Sequence, residues 1–256
     1  MRVGLCQLNI VWENKEENME KVIKYLQEAK EKDIDILFFP EMTLTGFSFN
    51  LDVSADRIKG ETIERFSRVC EQFKIAAGFG WTENPKGEKA KNHYSIVDDE
   101  GKLILDYVKV HPFTFGGEAK YFQGGTELAY CNYKGHKIST VVCYDLRFPE
   151  LFRMMDKDVS LVVVPANWPE KRAGHWKCLS KARAIENQFY VAAVNCEGHI
   201  NGFYYSGDSA LYDPEGCEMV SLTNKEGIIS YEIPNNIAEY REVFNAVSDQ
   251  KLKIGW

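Results

Sequence analysis

An α/β protein with two stacked, mixed β-sheets is the fold class that this sequence predicts. Three observations lead there: apolar runs of strand length alternate with segments of helical period; several strands pair through short turns; and there are more strands than one sheet of a single domain readily holds. The 256 residues suffice for one sizeable core, and no internal repeat, low-complexity tract or Pro/Ser-rich linker divides them. One domain is therefore expected over residues 1–256, its tail from about 245 being the least patterned part.

In chain order, "RVGLCQLNI" alternates like a strand. Residues 14–32 read as a helix, with Asn14 and Glu17 as a capping box and Met19, Ile23, Leu26 and Ala29 at helical spacing. "IDILFFP" is a continuous apolar run of the kind buried on both faces. A helix at about 61–74 leads into the strand "IAAGFGW", and "NHYSIVDD" and "KLILDYVKV" flank a Glu-Gly turn as a hairpin. A loop with several glycines covers 111–126; strands near 127–133 and 136–143 follow, then a helix at about 147–156 beginning near Pro149. "VSLVVVPAN" is another buried strand, and a helix from about 171 to 188 carries Cys178, Ala182, Ile185 and Phe189 at spacings of four, three and four. "YVAAVN", "SGDSALYDP", "CEMVSL" and "GIISYEI" complete the strands, and the tail beyond Pro234 starts helical and ends irregular.

Composition excludes several classes of function. The net charge is −7, and no clustered basic face exists to neutralise phosphates, so no nucleic-acid partner is expected. The same charge disfavours anionic membrane surfaces. No apolar run approaches the ~20 residues of a membrane span, and the opening "MRVGLCQLNI" lacks a secretory h-region. Seven cysteines, an odd number without a CxxC pair, fit a reduced cytoplasmic protein with neither a disulfide framework nor a zinc site.

Three strands end on a polar residue that strand formation does not need: Glu41 after "ILFFP", Lys109 after "LILDYV" and Cys143 after "ISTVV". Residues beyond the carboxyl ends of strands converge in α/β sheets. Thiolate is the nucleophile, yet a free cysteine is mostly thiol at neutral pH; a carboxylate can take its proton, and an ammonium favours negative charge nearby. Taken singly, Cys143 reads as a buried structural thiol, and Glu41 and Lys109 as solvated strand ends. A Cys-His pair using His111 or His175 accounts for the residues equally well.

The segments "FFPEMTLTGF", "YVKVHPF" and "VVCYDLRFPELFR" resemble, in order, the three signatures of the nitrilase superfamily of carbon–nitrogen hydrolases, and the resemblance runs from the first strand to about residue 245. It implies a four-layer α-β-β-α sandwich and a Glu41-Lys109-Cys143 triad. "GGEAKYFQGG" places Glu118 where the family often has a second glutamate. Further implications are an oxyanion held by Lys109 and the Tyr144 N–H, a chemistry needing neither metal nor organic cofactor, and a homodimer. Asp145 then fixes the turn after the nucleophile.

Tyr-Asp after the cysteine, where nitrilases carry Trp-Glu, is similar to the ω-amidases and the deaminated-glutathione amidases. "VPANWPEKRAGHWKCLSKARAIENQFYVAAVN", "YYSGDSALYDPEG" and "EYREVF" resemble the ω-amidases that deamidate 2-oxoglutaramate. A small-molecule amide is thus the expected partner. Its carboxylate end calls for cations, for which Arg147, Lys171 and Arg172 are candidates. Phe115, Tyr121, Asn167 and Trp168 are candidate lining residues. A salt bridge from Arg147 to Glu150 or Asp145 is the structural alternative for that arginine. The remaining alternatives are a deaminated-glutathione amidase, a non-catalytic binding or scaffold relative, and the ammonia-producing domain of a synthetase, for which the chain has no room.

Overall fold

Strand β1 (Arg2–Gln7) lies parallel to β2 (Ile36–Phe38), which pairs in parallel with β3 (Ala76–Glu83). The computed structural model describes residues 1–56, 60–249 and 251. The antiparallel strands β4 (Lys91–Val97) and β5 (Leu103–Val108) extend this sheet on one side. On the other, β13 (Gly227–Glu232) returns antiparallel beside β1, completing the order β13-β1-β2-β3-β4-β5.

The second sheet runs β10-β11-β9-β8-β7-β6, with β12 also paired to β11. Its strands are β6 (Tyr130–Tyr133), β7 (His136–Thr140), β8 (Leu161–Ala166), β9 (Tyr190–Asn195), β10 (Glu197–Ile200), β11 (Phe203–Tyr212) and β12 (Glu218–Thr223). Both sheets are mixed: β1-β2-β3 run parallel in the first and β7-β8-β9 in the second, and the other pairings are antiparallel.

Side-chain alternation divides the interior into three apolar layers. In β2 and the residue after it, Ile36 and Phe38 point between the sheets, whereas Leu37 and Phe39 point out beneath helices α1 (Lys15–Glu31) and α3 (Glu61–Phe73). In β8, Leu161 and Val163 face the other sheet, while Val162 and Val164 pack with α4 (Pro149–Arg153) and α5 (Ala173–Asn187). Helix, sheet, sheet, helix is the order of layers. The short α2 (Leu51–Ser54) and the C-terminal α6 (Ile237–Val243) complete the helices, and the irregular end of the tail, 252–256, lies outside the described residues. None of the described helices is long and apolar enough to cross a membrane.

Two helix faces differ from what their sequences suggest. Asn14 caps α1, its Oδ1 accepting the Glu17 N–H at 3.2 Å, and Met19, Leu26 and Ala29 are buried, but Val22 and Tyr25 complete the stripe and Ile23 is 37% exposed. Of the stripe expected on α5, only Phe189, just beyond the helix, is buried in the core. Cys178 and Ile185 face solvent, and Trp176, Ser180, Arg183 and Asn187 face the sheet. The inner face is polar because buried carbonyls need donors there: Arg183 Nη2 donates to the Leu146 carbonyl at 2.9 Å, and Asn187 Nδ2 to the Arg183 carbonyl at 2.9 Å.

Candidate active site

Glu41 stands three residues beyond β2, on a backbone turn that presses against β3. A glycine must face that turn. A Cβ on Gly80 would sit 2.3 Å from the Met42 nitrogen, and Met42 itself is left-handed at φ 45°. Thr43 closes the turn, its Oγ1 donating to the Pro40 carbonyl at 2.7 Å and accepting the Gly80 N–H at 2.9 Å. The turn buries Glu41 completely and aims its carboxylate inward.

Lys109 follows β5 directly and is also buried. Its Nζ donates to Glu41 Oε1 at 2.9 Å and to Glu118 Oε2 at 2.8 Å. Glu118, on a 3-10 turn (Glu118–Lys120), also accepts the Phe113 N–H at 2.5 Å. Asn92 in β4 joins the two acids, with Nδ2 2.9 Å from Glu41 Oε1 and 3.1 Å from Glu118 Oε1. From the second sheet, Asn167 donates its N–H to Glu41 Oε2 at 3.0 Å and its side-chain amide to the Glu41 carbonyl at 2.6 Å.

Cys143 does not end a strand as its apolar approach predicts. Strand β7 stops at Thr140, and Cys143 opens a 3-10 turn (Cys143–Arg147) with φ 49°, a left-handed conformation costing about 1–2 kcal/mol for a residue with a Cβ. Asp145 holds this turn. Its buried carboxylate accepts the Val142 N–H at 3.1 Å, the Tyr107 hydroxyl at 2.9 Å, and His111 through both its N–H at 2.8 Å and Nδ1 at 2.9 Å. The Cys143 loop is thereby tied to the strand that delivers Lys109.

Burial pushes the Cys143 thiol well up, Glu41 adds to the rise, and Lys109 opposes it. Burial alone would discharge Lys109, but Glu118 and Glu41 more than reverse this and keep it an ammonium. The Glu118 carboxyl is raised by burial, which the Lys109 ammonium opposes and the Glu41 charge reinforces. The resting sulfur is therefore a thiol, and a base is needed to make it a nucleophile.

Cys143 opens onto a cavity of about 340 Å³. Asn167, Trp168, Arg147 and Arg172 line it, together with Tyr144. Arg147 lies 4.7 Å over the Trp168 ring and Arg172 5.7 Å from the Phe113 ring centre. Burial, and then the charge of Arg172, lowers the Arg147 guanidinium. Neither arginine has a carboxylate partner among the described residues, so the bridge from Arg147 to Asp145 or Glu150 does not form.

Three expected lining residues lie elsewhere. Phe115 is 89% exposed, because successive residues of a 3-10 turn point about 120° apart and Phe113 is the ring turned inward. Tyr121 stacks on Phe49 at 5.4 Å, and Phe49 makes the wall. Lys171 points to solvent while its neighbour Arg172 points in. His111 is held by Asp145 and stacked 3.6 Å from Phe148, and His175 bonds Arg147, so neither ring lines the cavity. The aromatic wall formed by Trp12, Phe47, Phe49, Phe113 and Tyr205 carries no signal in the sequence that singles it out. Asn92 is similar, one polar side chain among several in the first half of its strand. Among the described residues no group of acids, cysteines and histidines could hold a metal ion.

Residues 2–242 match the family model for carbon-nitrogen hydrolase. The 2-oxoglutaramate amidase of Bacillus subtilis (strain 168) is 33% identical over 250 residues, 96% of each chain. The omega-amidase YafV of Escherichia coli (strain K12) is 30% identical, covering 97% of this chain and 96% of its own. Among solved structures, XC1258 from Xanthomonas campestris, a CN-hydrolase superfamily protein with an arsenic adduct in the active site, superposes with a TM-score of 0.92 at 30% identity, covering 100% of this chain and 99% of its own. The buried acid-lysine-acid cluster behind a strained cysteine thus occurs in a chain that belongs to the carbon-nitrogen hydrolase family.

Proposed function

We propose that this protein is an ω-amidase that hydrolyses the terminal amide of a small 2-oxo-dicarboxylic acid monoamide, converting 2-oxoglutaramate and water to 2-oxoglutarate and ammonia. One observation carries the choice of substrate: two guanidiniums without carboxylate partners, Arg147 and Arg172, share a cavity wall with Cys143. An anionic end of the substrate fits there, and its amide then lies toward the sulfur. Relatives named for this activity add weight.

In this reading Glu41 takes the Cys143 proton as sulfur attacks the amide carbon. Lys109 and the Tyr144 N–H hold the oxyanion. The tetrahedral adduct collapses, the C–N bond breaks, and ammonia leaves with the proton from Glu41. The resulting thioester is hydrolysed by a water that gives its proton to Glu41, and the thiolate regains a proton as the acid product departs. Glu118 is a second acceptor that fixes Lys109.

Cytoplasmic location and a homodimer complete the proposal, the latter to be checked by light scattering. Ammonia release from 2-oxoglutaramate, 2-oxosuccinamate, glutamine, deaminated glutathione and simple nitriles tests the substrate. Arg147→Ala and Arg172→Ala should each raise KM for the 2-oxo acid amides at least ~10-fold with little change in kcat. A Cys143→Ala variant should abolish the thioester adduct seen by mass spectrometry. Turnover of nitriles without amides, or of deaminated glutathione in preference to the monoamides, would overturn the assignment.

A further inference from the structure

We infer that Asn92 is a positioning residue for this reaction: by bonding both acids with one amide nitrogen, it confines the mobile proton to Oε2 of Glu41. The inference rests on Glu41 being the base.

The lone pairs decide it. Glu41 Oε1 accepts from Lys109 Nζ at 2.9 Å and from Asn92 Nδ2 at 2.9 Å, so both its acceptor sites are occupied by groups that can only donate. Oε2 accepts a single N–H, that of Asn167, at 3.0 Å. One site remains on Glu41, and it is on Oε2. Glu118 likewise keeps one open site, on Oε1 beside Asn92, but the Cys143 side chain bonds Glu41 and not Glu118. The proton taken from sulfur therefore goes to one known atom of Glu41 and leaves for the amine from that same atom.

The orientation of the Asn92 amide is fixed by its neighbours. Turned over, its oxygen would face two carboxylates. As placed, Nδ2 serves both acids and the buried Oδ1 has no partner among the described residues. A side chain selected only to fill this strand would not leave its own acceptor unmatched. The backbone of Asn92 is engaged as well, its carbonyl accepting the Lys109 N–H at 2.9 Å. One residue of β4 thus touches Glu41, Glu118 and Lys109. Neutrality matters too: a second cation here would weaken Glu41 as a base, whereas an amide supplies two donors without charge.

The test measures kcat and KM for ammonia release, normalised to sites titrated by Cys143 alkylation, across the pH range. Asn92→Ala should lower kcat by about 10²-fold with KM unchanged, because Asn92 does not reach the cavity. The acid limb of kcat/KM should move to higher pH, as carboxylates that lose a donor hold protons more tightly. Asn92→Asp, which keeps the shape but adds a third acid, should move that limb further still. A role confined to packing predicts the opposite: Asn92→Asp would keep the wild-type kcat per titrated site and the wild-type profile, and that result overturns the inference. Should Asn92→Ala fail to fold, the Asn92→Asp profile alone decides the matter. A wild-type protein that hydrolyses no amide would instead sink the proposed function, so the two failures are distinct.

Discussion

Replacing Asp145 by asparagine changes one buried atom and should disable the loop that presents Cys143. The carboxylate accepts four hydrogen bonds: from the Val142 N–H and the Tyr107 hydroxyl on Oδ2, and from the His111 N–H and Nδ1 on Oδ1. An asparagine amide keeps one oxygen. In one orientation its NH₂ faces the Val142 N–H, in the other the His111 N–H, and neither backbone donor can turn away. An unmatched buried donor costs about 1–3 kcal/mol, and the bonds that persist lose the benefit of a charged acceptor, giving about 2–5 kcal/mol in all. A chain of this size loses about 2–4 °C of Tm per kcal/mol, so calorimetry should show Tm lower by roughly 5–20 °C. The left-handed Cys143 loses its tether in the same step, so kcat per folded molecule should fall as well. A Tm change within the ~0.5 kcal/mol scatter of surface substitutions, with wild-type kcat, would refute the reasoning.

Gly80→Ala should cost about 1–3 kcal/mol by overpacking, since the new methyl would sit 2.3 Å from the Met42 nitrogen. Displacing Glu41 by even ~1 Å should lower kcat about 10²-fold, which steady-state kinetics would detect. For pH dependence, Asp208 is informative. Burial alone would raise its carboxyl, but Lys177, Ser206 and Thr223 outweigh this and hold it below its ordinary value. Its contribution is therefore fully present above the unfolded carboxylate pKa of ~3.9 and is lost as pH falls through the lower folded value. Thermal melts at a series of pH values should show Asp208→Asn less stable than wild type near neutrality, with the two converging in acid.

The strands and the residues just beyond them are legible because each follows a continuous apolar run whose period can be read locally. Glu41, Lys109 and Cys143 stand out as polar endings to "ILFFP", "LILDYV" and "ISTVV". Local pattern cannot show where those runs cease to be strands: β7 ends at Thr140, and the bonds of Asp145 with distant Tyr107 and His111 help fix the turn that follows. The face of α5 is hidden for the same reason, its inner side being chosen by the Leu146 carbonyl that Arg183 serves rather than by apolar period. Phe113 and Phe115 are indistinguishable in sequence, and a tight turn separates wall from solvent. Asn92 is concealed because one amide in a strand carries no signal until the two acids are placed against it.

Glu41, Lys109 and Glu118 are delivered by one sheet, Cys143 and Asn167 by the other, so the groups of the proposed reaction meet across a seam. Any slippage of one slab over the other, too slight to unfold either, would part Glu41 from Cys143. Turnover in this molecule is consequently a finer gauge of how the two halves are aligned than any melting curve, and the hydrocarbon between them, Phe38 and Val163 included, serves as the bearing that keeps the chemistry in register.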